Sequence, residues 1–340
     1  MNDQIKILVC APIDEASLAR LRGIGRLTFA GWGGQDGMHA APLTANQLVD
    51  MGKDADVIIL GTEPMPGEVL QKLPVLKILV CSRAGVESID IQQASNLGIP
   101  VLNSPGRNAY AVADFTIGLL ISLARNITRS QSFLSTGLWK NLSSPADYEL
   151  EGKELPGCTL GIIGLGMIGR LVAKRATGFD MKIVGFDPYV NNELIRESGI
   201  NIMTTLEELL ATSDFISLHC ALTPETKNLL NSTRLTVIKS SAYVINTARA
   251  AIIEEEPFIQ ALQGHKIAGA ALDVFWKEPI PQNHPLLNLD NVLLTPHIAG
   301  MGDQVFHRGS KMVVDGIVAF FSSKKPNNVV NPEVFDVSYE

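Results

Sequence analysis

The segment TLGIIGLGMIGR, residues 159–170, decides the fold of this chain. It begins with a short apolar run, Thr159–Gly164, of the kind that forms a buried strand, and it leads into an amphipathic helix predicted over Ile168–Thr177. Asp187 lies 21 residues after Gly166, at the end of the next predicted strand. A glycine-rich turn between a strand and a helix, with an acidic residue at that distance, turns the weak pattern G-x-G-x-x-G into a dinucleotide-binding fingerprint.

Each glycine of this motif has a physical task. Gly164 permits the tight turn, Gly166 lets the backbone approach a pyrophosphate, and Gly169 allows close packing of the helix on the strand. The helix N-terminus offers free N–H groups and a partial positive charge to the phosphates. Asp187 can accept hydrogen bonds from a ribose 2′-hydroxyl and would repel a 2′-phosphate, so the predicted cofactor is NAD rather than NADP. The cofactor-binding residues predicted from this motif are Gly164, Gly166, Met167, Ile168, Gly169 and Asp187.

Short apolar runs alternate with amphipathic segments on both sides of this motif. The runs are continuously apolar, which is typical of parallel strands covered on both faces, and the alternation predicts a parallel α/β fold. The predicted strands are Ile5–Ala11, Asp56–Gly61, Leu76–Ser82, Pro100–Asn103, Thr159–Gly164, Lys182–Asp187, Phe215–His219, Ala242–Asn246, Ala268–Val274 and Val292–Thr295. The predicted helices are Asp14–Gly23, Thr44–Asp50, Pro66–Leu73, Asp90–Gly98, Val112–Ser130, Ile168–Thr177, Leu206–Thr212, Glu254–Gly264 and Asp303–Ser322. We expect Gly31–Gly37 to be a flexible loop and Gly137–Glu154 to be a connector or arm.

Length and composition limit the classes of protein to consider. A chain of 340 residues corresponds to roughly two domains. The apolar fraction of 46% and the charged fraction of 19% are those of a globular protein, and they exclude disordered, collagen-like and disulfide-scaffold classes. The formal net charge of −7 gives no electrostatic basis for binding nucleic acid or an anionic membrane, so neither is expected as a partner.

Cysteines and the N-terminal residues suggest the cellular compartment. Cys10, Cys81, Cys158 and Cys220 are widely spaced and lie mostly in apolar runs, which indicates small buried hydrophobic residues in a reducing environment. The segment Met1–Gln4 contains an acidic residue and does not resemble a signal peptide, so we expect a cytoplasmic protein. The histidines and cysteines lack metal-ligand spacing, and no metal site is predicted.

Three residues near predicted strand ends could supply acid–base chemistry and a carboxylate receptor. Arg249 follows the strand Ala242–Asn246, and its planar guanidinium matches a carboxylate. His297 follows the strand Val292–Thr295, and an imidazole titrates near neutral pH. Glu278, if it lies beside an imidazole, would favour the charged form of the ring and raise its pKa. Taken one at a time, these residues also fit a solvated arginine, a structural histidine and a surface acid.

Six motifs occur together, in one order, along the chain. They are TLGIIGLGMIGR (159–170), VGFDPY (184–189), LTPETKNLLN (222–231), NTAR (246–249), ALDVFWKEP (271–279) and TPHIAG (295–300). With these motifs the chain resembles the D-isomer-specific 2-hydroxyacid dehydrogenases, a family that includes phosphoglycerate dehydrogenases and glyoxylate/hydroxypyruvate reductases. The resemblance covers essentially the whole chain.

The resemblance implies an α/β architecture of two Rossmann/flavodoxin-like parallel-sheet domains. The NAD-binding domain, residues 107–302, would be inserted into a substrate-binding domain formed by residues 1–106 and 303–335. It also implies an NAD-dependent oxidoreductase that interconverts a small 2-oxo acid and a 2-hydroxy acid of D configuration. Members of the family are usually dimers, so a homodimer is expected.

The resemblance also assigns roles to individual residues. Arg249 would bind the carboxylate and carbonyl of the substrate, His297 would be the general acid/base, and Glu278 would be its partner. The implied ligands of the substrate carboxylate are the backbone N–H groups of Ala84, Gly85 and Val86. The further cofactor-binding residues that it implies are His219, Cys220, Thr247, Ala248, Asp273 and Gly300.

Several positions depart from the family pattern. Ala250 stands where glycine commonly follows the arginine, Asp114 where glutamate is common, and Met301 where threonine is frequent. Phosphoglycerate dehydrogenases have an Arg-Ser pair where this chain has Gly61-Thr62, so a phosphate site there would lack its cation. Two other functions remain open: an NAD(H)-responsive binding or corepressor-type protein on the same fold, and an enzyme that oxidises phosphonate or formate.

Overall fold

The computed structural model describes residues 4–33, 41–137, 139, 150–190 and 199–335. The chain forms two compact units, one comprising Met1–Arg107 with Gly302–Glu340 and the other comprising Asn108–Met301. The second unit is one continuous segment, whereas the first is built from two segments that flank it in the sequence. The assignment of substrate binding to residues 1–106 and 303–335, and of NAD binding to residues 107–302, stays a prediction.

The strands of each unit form one parallel sheet. The described strands are β1 (Ile5–Val9), β2 (Gly25–Phe29), β3 (Val57–Leu60), β4 (Ile78–Cys81), β5 (Val101–Leu102), β6 (Thr159–Ile163), β7 (Lys182–Phe186), β8 (Asn201–Ile202), β9 (Phe215–Leu218), β10 (Tyr243–Asn246), β11 (Gly269–Leu272) and β12 (Val292–Leu294). The first sheet has the order β2-β1-β3-β4-β5 and the second the order β12-β11-β10-β9-β6-β7-β8. These are the flavodoxin-like order and an extended Rossmann order. The predicted fold class, two parallel-sheet α/β domains, is confirmed.

Helices connect the strands of both sheets. They are α1 (Glu15–Arg22), α2 (Ala45–Gly52), α3 (Gly67–Leu70), α4 (Ile91–Asn96), α5 (Ala109–Ala124), α6 (Ile127–Ser135), α7 (Met167–Ala176), α8 (Leu206–Thr212), α9 (Ser232–Leu235), α10 (Glu255–Gln263) and α11 (Asp303–Phe321). Two of them begin with complete capping boxes, Thr44 with Gln47 before α2 and Thr205 with Glu208 before α8. In each box the side chains satisfy N–H groups that the first helical turn would otherwise leave unpaired.

Both faces of each sheet are buried under helices. In the first unit, one face packs against α2, α3 and α4. The other face packs against α11, whose Val313, Val314 and Ile317 are fully buried. In the second unit, α5 and α7 cover one face and α8, α9 and α10 cover the other. Burial on two faces is why the strands are continuously apolar in sequence.

Two edge strands, the one-turn helix α9 and one helix break are absent from the sequence-based prediction. Most side chains of β2 and β8 are not buried, so no apolar run marks them. The helix predicted over Val112–Ser130 is divided into α5 and α6, with a bend of 60°. Asn126 lies at the break with a φ of 52°, a left-handed conformation that Asn adopts more readily than most residues.

Three further observations concern segments that the sequence singles out. Gly31–Gly33 forms one 3-10 turn, and the rest of the predicted loop Gly31–Gly37 lies outside the described residues. Most of the predicted connector Gly137–Glu154 also lies outside them. Taken singly, no helix in the described ranges is long and apolar enough to span a membrane, although α5 and α6 meet that test as a bent pair.

Candidate active site

The turn after β6 is built around Gly164. This residue has a φ of 94°, and a Cβ added to it would lie 2.6 Å from the carbonyl carbon of His219 and even closer to the amide nitrogen of Cys220. The turn therefore passes against the end of β9 at a distance that only glycine permits. The Gly164 N–H donates to the carbonyl of Phe186 at the end of β7 (2.9 Å), which ties the turn to both neighbouring strands.

The two other glycines of the motif have opposite surroundings. A Cβ on Gly169 would overlap the carbonyl oxygen of Gly164 and lie 3.2 Å from Cγ2 of Ile162, so the first turn of α7 packs directly on the strand. A Cβ on Gly166 would meet no atom within 4 Å, and no side chain caps the helix that begins at Met167. An uncapped helix N-terminus that opens into free space fits the pyrophosphate of a dinucleotide.

Asp187 lies at the end of β7 and contacts the glycine turn. Its Oδ2 accepts a hydrogen bond from the Leu165 N–H (2.8 Å), and its Oδ1 accepts one from the Tyr189 N–H (3.0 Å). The carboxylate is thus held beside the motif by two backbone donors. A carboxylate oxygen can accept more than one hydrogen bond, so the predicted contact with a ribose hydroxyl is compatible with this arrangement.

His219 and Cys220 follow β9 next to the same turn. The His219 Nε2 lies 2.8 Å from the hydroxyl of Ser217. Burial lowers the pKa of the His219 imidazole to about 3, so this ring is neutral at physiological pH. Burial also raises the pKa of the Cys220 thiol to about 11, which keeps it protonated. Neither group is therefore set up for proton transfer near neutral pH, although both can line a cofactor site.

A buried amide shapes the turn that presents Arg249. The Asn246 side chain donates to the carbonyl of Arg249 (3.0 Å) and accepts from the N–H of Ala248 (2.9 Å). These two bonds close the residues after β10 into a compact turn, while Arg249 itself is exposed. One of the guanidinium N–H groups donates to the carbonyl of Ala248 (2.9 Å).

A pair of hydroxyls connects the same turn to α5. The Thr116 hydroxyl lies 2.7 Å from the carbonyl of Val112 and 2.9 Å from the hydroxyl of Thr247. A carbonyl can only accept, so Thr116 donates to Val112 and accepts from Thr247. Thr247 is therefore held from one side by α5 and from the other by the turn that Asn246 closes.

Asp273, which follows β11, is fully buried and organises the turn after β12. Its Oδ1 accepts from the Thr295 hydroxyl (2.6 Å) and from the Ile298 N–H (2.9 Å), and its Oδ2 accepts from the Ala299 N–H (2.8 Å). One carboxylate thus binds three points of the segment 295–299. His297 lies in the middle of this segment, so Asp273 helps to fix the turn that carries it.

His297 and Glu278 form a close pair. The Nδ1 of His297 lies 2.6 Å from Oε2 of Glu278, and Oε1 of Glu278 accepts from the Phe275 N–H (3.0 Å). Burial acts to raise the pKa of the Glu278 carboxyl, but its hydrogen bonds to His297 and Phe275 and the charges of His297 and Arg249 lower it below the usual value. The carboxylate can therefore accept the hydrogen of Nδ1, which leaves Nε2 as the ring nitrogen outside this pair.

The turn holds His297 in an unusual backbone conformation and leaves its ring partly exposed. His297 has a φ of 56°, an uncommon conformation for a residue with a side chain. The ring is 46% exposed while Nδ1 is paired. A Cβ on Gly300 would lie 2.7 Å from Nδ2 of Asn108, so the end of this turn packs closely on the start of α5.

The predicted carboxylate-binding residues Ala84, Gly85 and Val86 lie in the first unit, on the turn after β4. The side chain of Asn103 donates to the carbonyl of Ala84 (2.7 Å), and the Cys81 thiol lies 3.5 Å from the carbonyl of Gly85. Both contacts are made to carbonyl oxygens of the turn. Ala84 is exposed, and Gly85 and Val86 are half-buried.

The structure adds supporting residues that the sequence analysis did not identify. They are buried or half-buried polar side chains that hold the site turns: Thr116, Asn246, Thr295 and Asn103. Asn246 and Thr295 lie inside the motifs NTAR and TPHIAG, so the motifs could have indicated them. Thr116 is one hydroxyl in a long apolar helix, and only the fold shows its partner.

The arrangement of the second unit combines three chemical functions. It has an uncapped helix N-terminus for a dinucleotide, a histidine–carboxylate pair for proton transfer, and an exposed arginine. Among the described residues, no three His, Cys, Asp or Glu side chains gather as ligands for a metal ion.

Comparison with known proteins identifies relatives of this chain. Residues 117–299 match the family model described as D-isomer specific 2-hydroxyacid dehydrogenase, NAD binding domain. A D-3-phosphoglycerate dehydrogenase from Methanocaldococcus jannaschii is 36% identical over 329 residues, which are 96% of this chain and 59% of that protein. A glyoxylate reductase from Thermofilum pendens is 39% identical over 299 residues, 87% of each protein.

A solved structure shares the whole fold. The crystal structure of a protein from Thermus thermophilus superposes with a TM-score of 0.83 at 34% identity, covering 96% of this chain and 100% of that one. The family model, which describes an NAD-binding domain, agrees with the fingerprint in indicating a nicotinamide dinucleotide as cofactor. The chain spans 59% of the length of the phosphoglycerate dehydrogenase.

Proposed function

We propose that this chain, which belongs to the D-isomer specific 2-hydroxyacid dehydrogenase family, interconverts a small 2-oxo acid and the corresponding D-2-hydroxy acid with NAD(H). The observation that supports this most directly is the 2.6 Å pair of His297 Nδ1 and Glu278 Oε2, on a turn that leaves the ring exposed. A histidine held by a carboxylate is an arrangement suited to general acid–base catalysis. The bound nicotinamide would supply or accept the hydride.

His297 would exchange the proton at the substrate oxygen. Glu278 accepts the hydrogen of Nδ1, so a protonated ring carries its transferable proton on Nε2 and a neutral ring has its lone pair there. In the direction of reduction, Nε2–H would protonate the carbonyl oxygen. In the direction of oxidation, Nε2 would remove the proton of the hydroxyl. Glu278 would stabilise the charged ring without taking the proton itself, since its own pKa is lowered.

Arg249 and the turn after β4 are proposed to bind the substrate. Arg249 is exposed, and its guanidinium can bind a carboxylate and polarise a carbonyl at the same time. The backbone N–H groups of Ala84, Gly85 and Val86 are proposed as further donors to the carboxylate. Fixing the acid at its carboxylate would orient the 2-oxo group for reaction.

The second unit is proposed to hold the dinucleotide. The open helix N-terminus at Gly166, with Met167, Ile168 and the two packed glycines, would take the pyrophosphate. Asp187 would accept from the ribose and disfavour a 2′-phosphate, which makes NAD the preferred form. The remaining proposed contacts line the nicotinamide end: His219, Cys220, Thr247, Ala248, Asp273 and Gly300. A homodimer in the cytoplasm is the expected form of the enzyme.

The corepressor-type alternative gains no support from the relatives quoted above, which are named as a dehydrogenase and a reductase. A binding protein would also have no need of a histidine–carboxylate pair with the ring exposed. Tight NADH binding without turnover of any 2-oxo acid would favour that alternative.

The test is NADH oxidation against glyoxylate, hydroxypyruvate, pyruvate, oxaloacetate, phenylpyruvate and phosphohydroxypyruvate. We expect turnover with at least one acid, and a loss of about 10²–10⁴ in kcat for His297→Ala with NADH binding retained. His307→Ala, which changes an exposed histidine of the other unit, is the matched control. A His297→Ala variant within about threefold of the wild type would refute the assignment of the general acid/base.

A further inference from the structure

Arg107 is the last residue of the first segment of the first unit, and it contacts helix α11. Its side chain crosses α11 at Gly309, where an added Cβ would lie 3.1 Å from Cδ and 3.4 Å from Nη1 of Arg107. The backbone carbonyl of Arg107 accepts from Nε of Arg308 (2.9 Å). Glycine is unfavourable inside a helix, so its place in the middle of α11 is explained by the arginine that lies across it.

The same contacts place this guanidinium beside the turn after β4. The point where a Gly309 Cβ would lie is 3.8 Å from the carbonyl oxygen of Ser82 and 3.4 Å from Nη1 of Arg107. The Ser104 N–H donates to the carbonyl of Arg83 (2.8 Å), which ties the segment leading to Arg107 to this turn. Arg107 therefore flanks the residues that precede Ala84, Gly85 and Val86.

The charges around this turn are unbalanced. Burial lowers the pKa of Arg107, and the positive charge of Arg83 lowers it further. Glu87 provides one negative charge on the same turn, where its carboxyl packs against Gly85. Arg308, whose Nε donates to the carbonyl of Arg107, is a third arginine here, so three arginines and one glutamate leave an excess of positive charge. Among the described residues, no carboxylate lies within 4.0 Å of the Arg107 guanidinium.

We infer that Arg107, with Arg83 beside it, binds a second anionic group on the substrate, so that the enzyme favours 2-oxo acids whose tail ends in a carboxylate or a phosphate. The inference rests on the proposed function, because it takes the turn Ala84–Val86 as the site of the first carboxylate. A half-buried cation without a carboxylate partner is a costly arrangement that an anionic ligand relieves. A guanidinium also offers the paired N–H groups that carboxylates and phosphates accept.

The test compares kcat/KM for acids matched in length but different in tail. Oxaloacetate is compared with 2-oxobutanoate for a carboxylate tail, and phosphohydroxypyruvate with hydroxypyruvate for a phosphate tail. We expect the wild type to favour the charged member of at least one pair, and the pair that responds identifies the anion. Arg107→Gln should reduce kcat/KM for that charged acid by about 10- to 100-fold and change its neutral match only slightly.

Three further variants separate charge, position and fold. Arg107→Lys retains the charge and should keep most of the preference. Gly309→Ala alters no charged group but displaces the Arg107 side chain, so it should lower the preference partially while the protein stays folded. Arg26→Gln removes an exposed arginine of the same unit and should leave the ratio unchanged. If Arg107→Gln does not fold, Gly309→Ala and Arg107→Lys decide the question.

Two results would overturn the inference in distinguishable ways. An equal loss for charged and neutral acids, or an unchanged ratio, would show that Arg107 does not select the tail, and the proposed function would stand. Absence of turnover with every acid in the wild type would remove both the proposed function and the inference that rests on it.

Discussion

The turns at the ends of the two sheets are built in different ways. In the second unit, buried side chains fix the site turns: Asn246 closes the turn of Arg249, and Asp273 binds three points around His297. In the first unit, the turn Ala84–Val86 is held through its own carbonyl groups, by Asn103 and Cys81. The first construction depends on particular side chains, whereas the second presents backbone groups that many residues could provide.

This difference explains why one unit is easier to interpret from its sequence. Chemistry done by side chains requires particular residue types, so Arg249, Glu278 and His297 can be proposed for it from their types and positions. Chemistry done by backbone N–H groups restricts residue types little, so Ala84, Gly85 and Val86 are identified only by resemblance to a family. The comparison can be tested by changing equivalent features in the two units.

The largest effect is expected for Gly164→Ala. The added Cβ would lie 2.6 Å from the backbone of His219, and alanine would have to adopt a φ of 94°. Neither the steric clash nor the backbone strain can be relieved by rotating a side chain. We expect a loss of about 2–4 kcal/mol in the free energy of unfolding, measured by urea denaturation.

Two matched alanine variants sharpen this result. Gly166→Ala adds a Cβ in open space, so stability should change by less than about 0.5 kcal/mol while NADH binding weakens. In the first unit, Gly85→Ala would meet the carboxyl of Glu87, which can rotate away, so its cost should be smaller than that of Gly164→Ala. Equal costs at positions 164 and 85 would contradict the proposed difference between the two turns.

An effect of intermediate size is expected when a carboxylate that holds a turn is replaced by an amide. In Asp273→Asn one of the two accepting oxygens becomes an NH₂ group, which cannot accept a hydrogen bond. This group would face an N–H donor or the Thr295 hydroxyl, so the turn that carries His297 should loosen. We expect kcat to fall by about 10- to 100-fold, with dinucleotide binding measured separately by NADH fluorescence.

The reciprocal change in the first unit is Asn331→Asp. The Asn331 side chain accepts from the Val101 N–H (2.7 Å) and donates to the carbonyl of Ile99 (3.0 Å), and it is buried. Aspartate would oppose that carbonyl, so stability should fall by about 1–3 kcal/mol while kcat changes little. A larger loss of kcat in Asn331→Asp than in Asp273→Asn would reverse the comparison.

The smallest effect concerns the pH dependence of stability. Because the pKa of Glu278 is lowered in the folded chain, its interactions stabilise the fold above the unfolded pKa, and that stabilisation is lost as the pH falls through the folded pKa. Both partners are partly exposed, 46% for His297 and 36% for Glu278, so screening should limit the effect to below about 1 kcal/mol.

Thermal melting between acidic and neutral pH checks this sign. The difference in Tm between the wild type and Glu278→Gln should shrink as the pH falls. Asp14 offers a comparison in the first unit, since burial raises its pKa but bonds to Ser17 and His307 lower it overall. The difference in Tm between the wild type and Asp14→Asn should also shrink as the pH falls, and kcat should not change. A Glu278→Gln difference that grows towards acidic pH would contradict the assignment.

The parts of the fold that the sequence predicts are those where burial leaves a pattern. Strands covered on both faces, such as β3 and β4, are continuously apolar and are predicted close to their observed bounds. The edge strand β2 has mostly uncovered side chains, so its sequence contains no apolar run. The break at Asn126 depends on a backbone conformation that asparagine tolerates but does not require.

For the candidate site, the sequence indicates the proposed reacting side chains but not the side chains that hold them. The structure brings His297 and Glu278 into contact, although 19 residues separate them in the sequence. The contact of Thr116 with Thr247 spans 131 residues, and neither residue type nor local spacing indicates it. Supporting contacts of this kind depend on how helices pack on a sheet, which one sequence does not reveal.

The divided first unit has a consequence for synthesis of the chain on the ribosome. Its strands β1–β5 are complete at residue 102, yet α11, which buries one face of their sheet, begins at residue 303. Translation of the roughly 200 intervening residues at about 5–20 residues per second takes on the order of 10–40 s. During that time Ile7, Val9 and Ile59 lack their covering helix. The continuous segment Asn108–Met301 emerges in the meantime. A nascent chain of about 300 residues therefore contains one complete unit and one sheet whose apolar face is still uncovered. A chaperone that holds unfolded chains could shield this face.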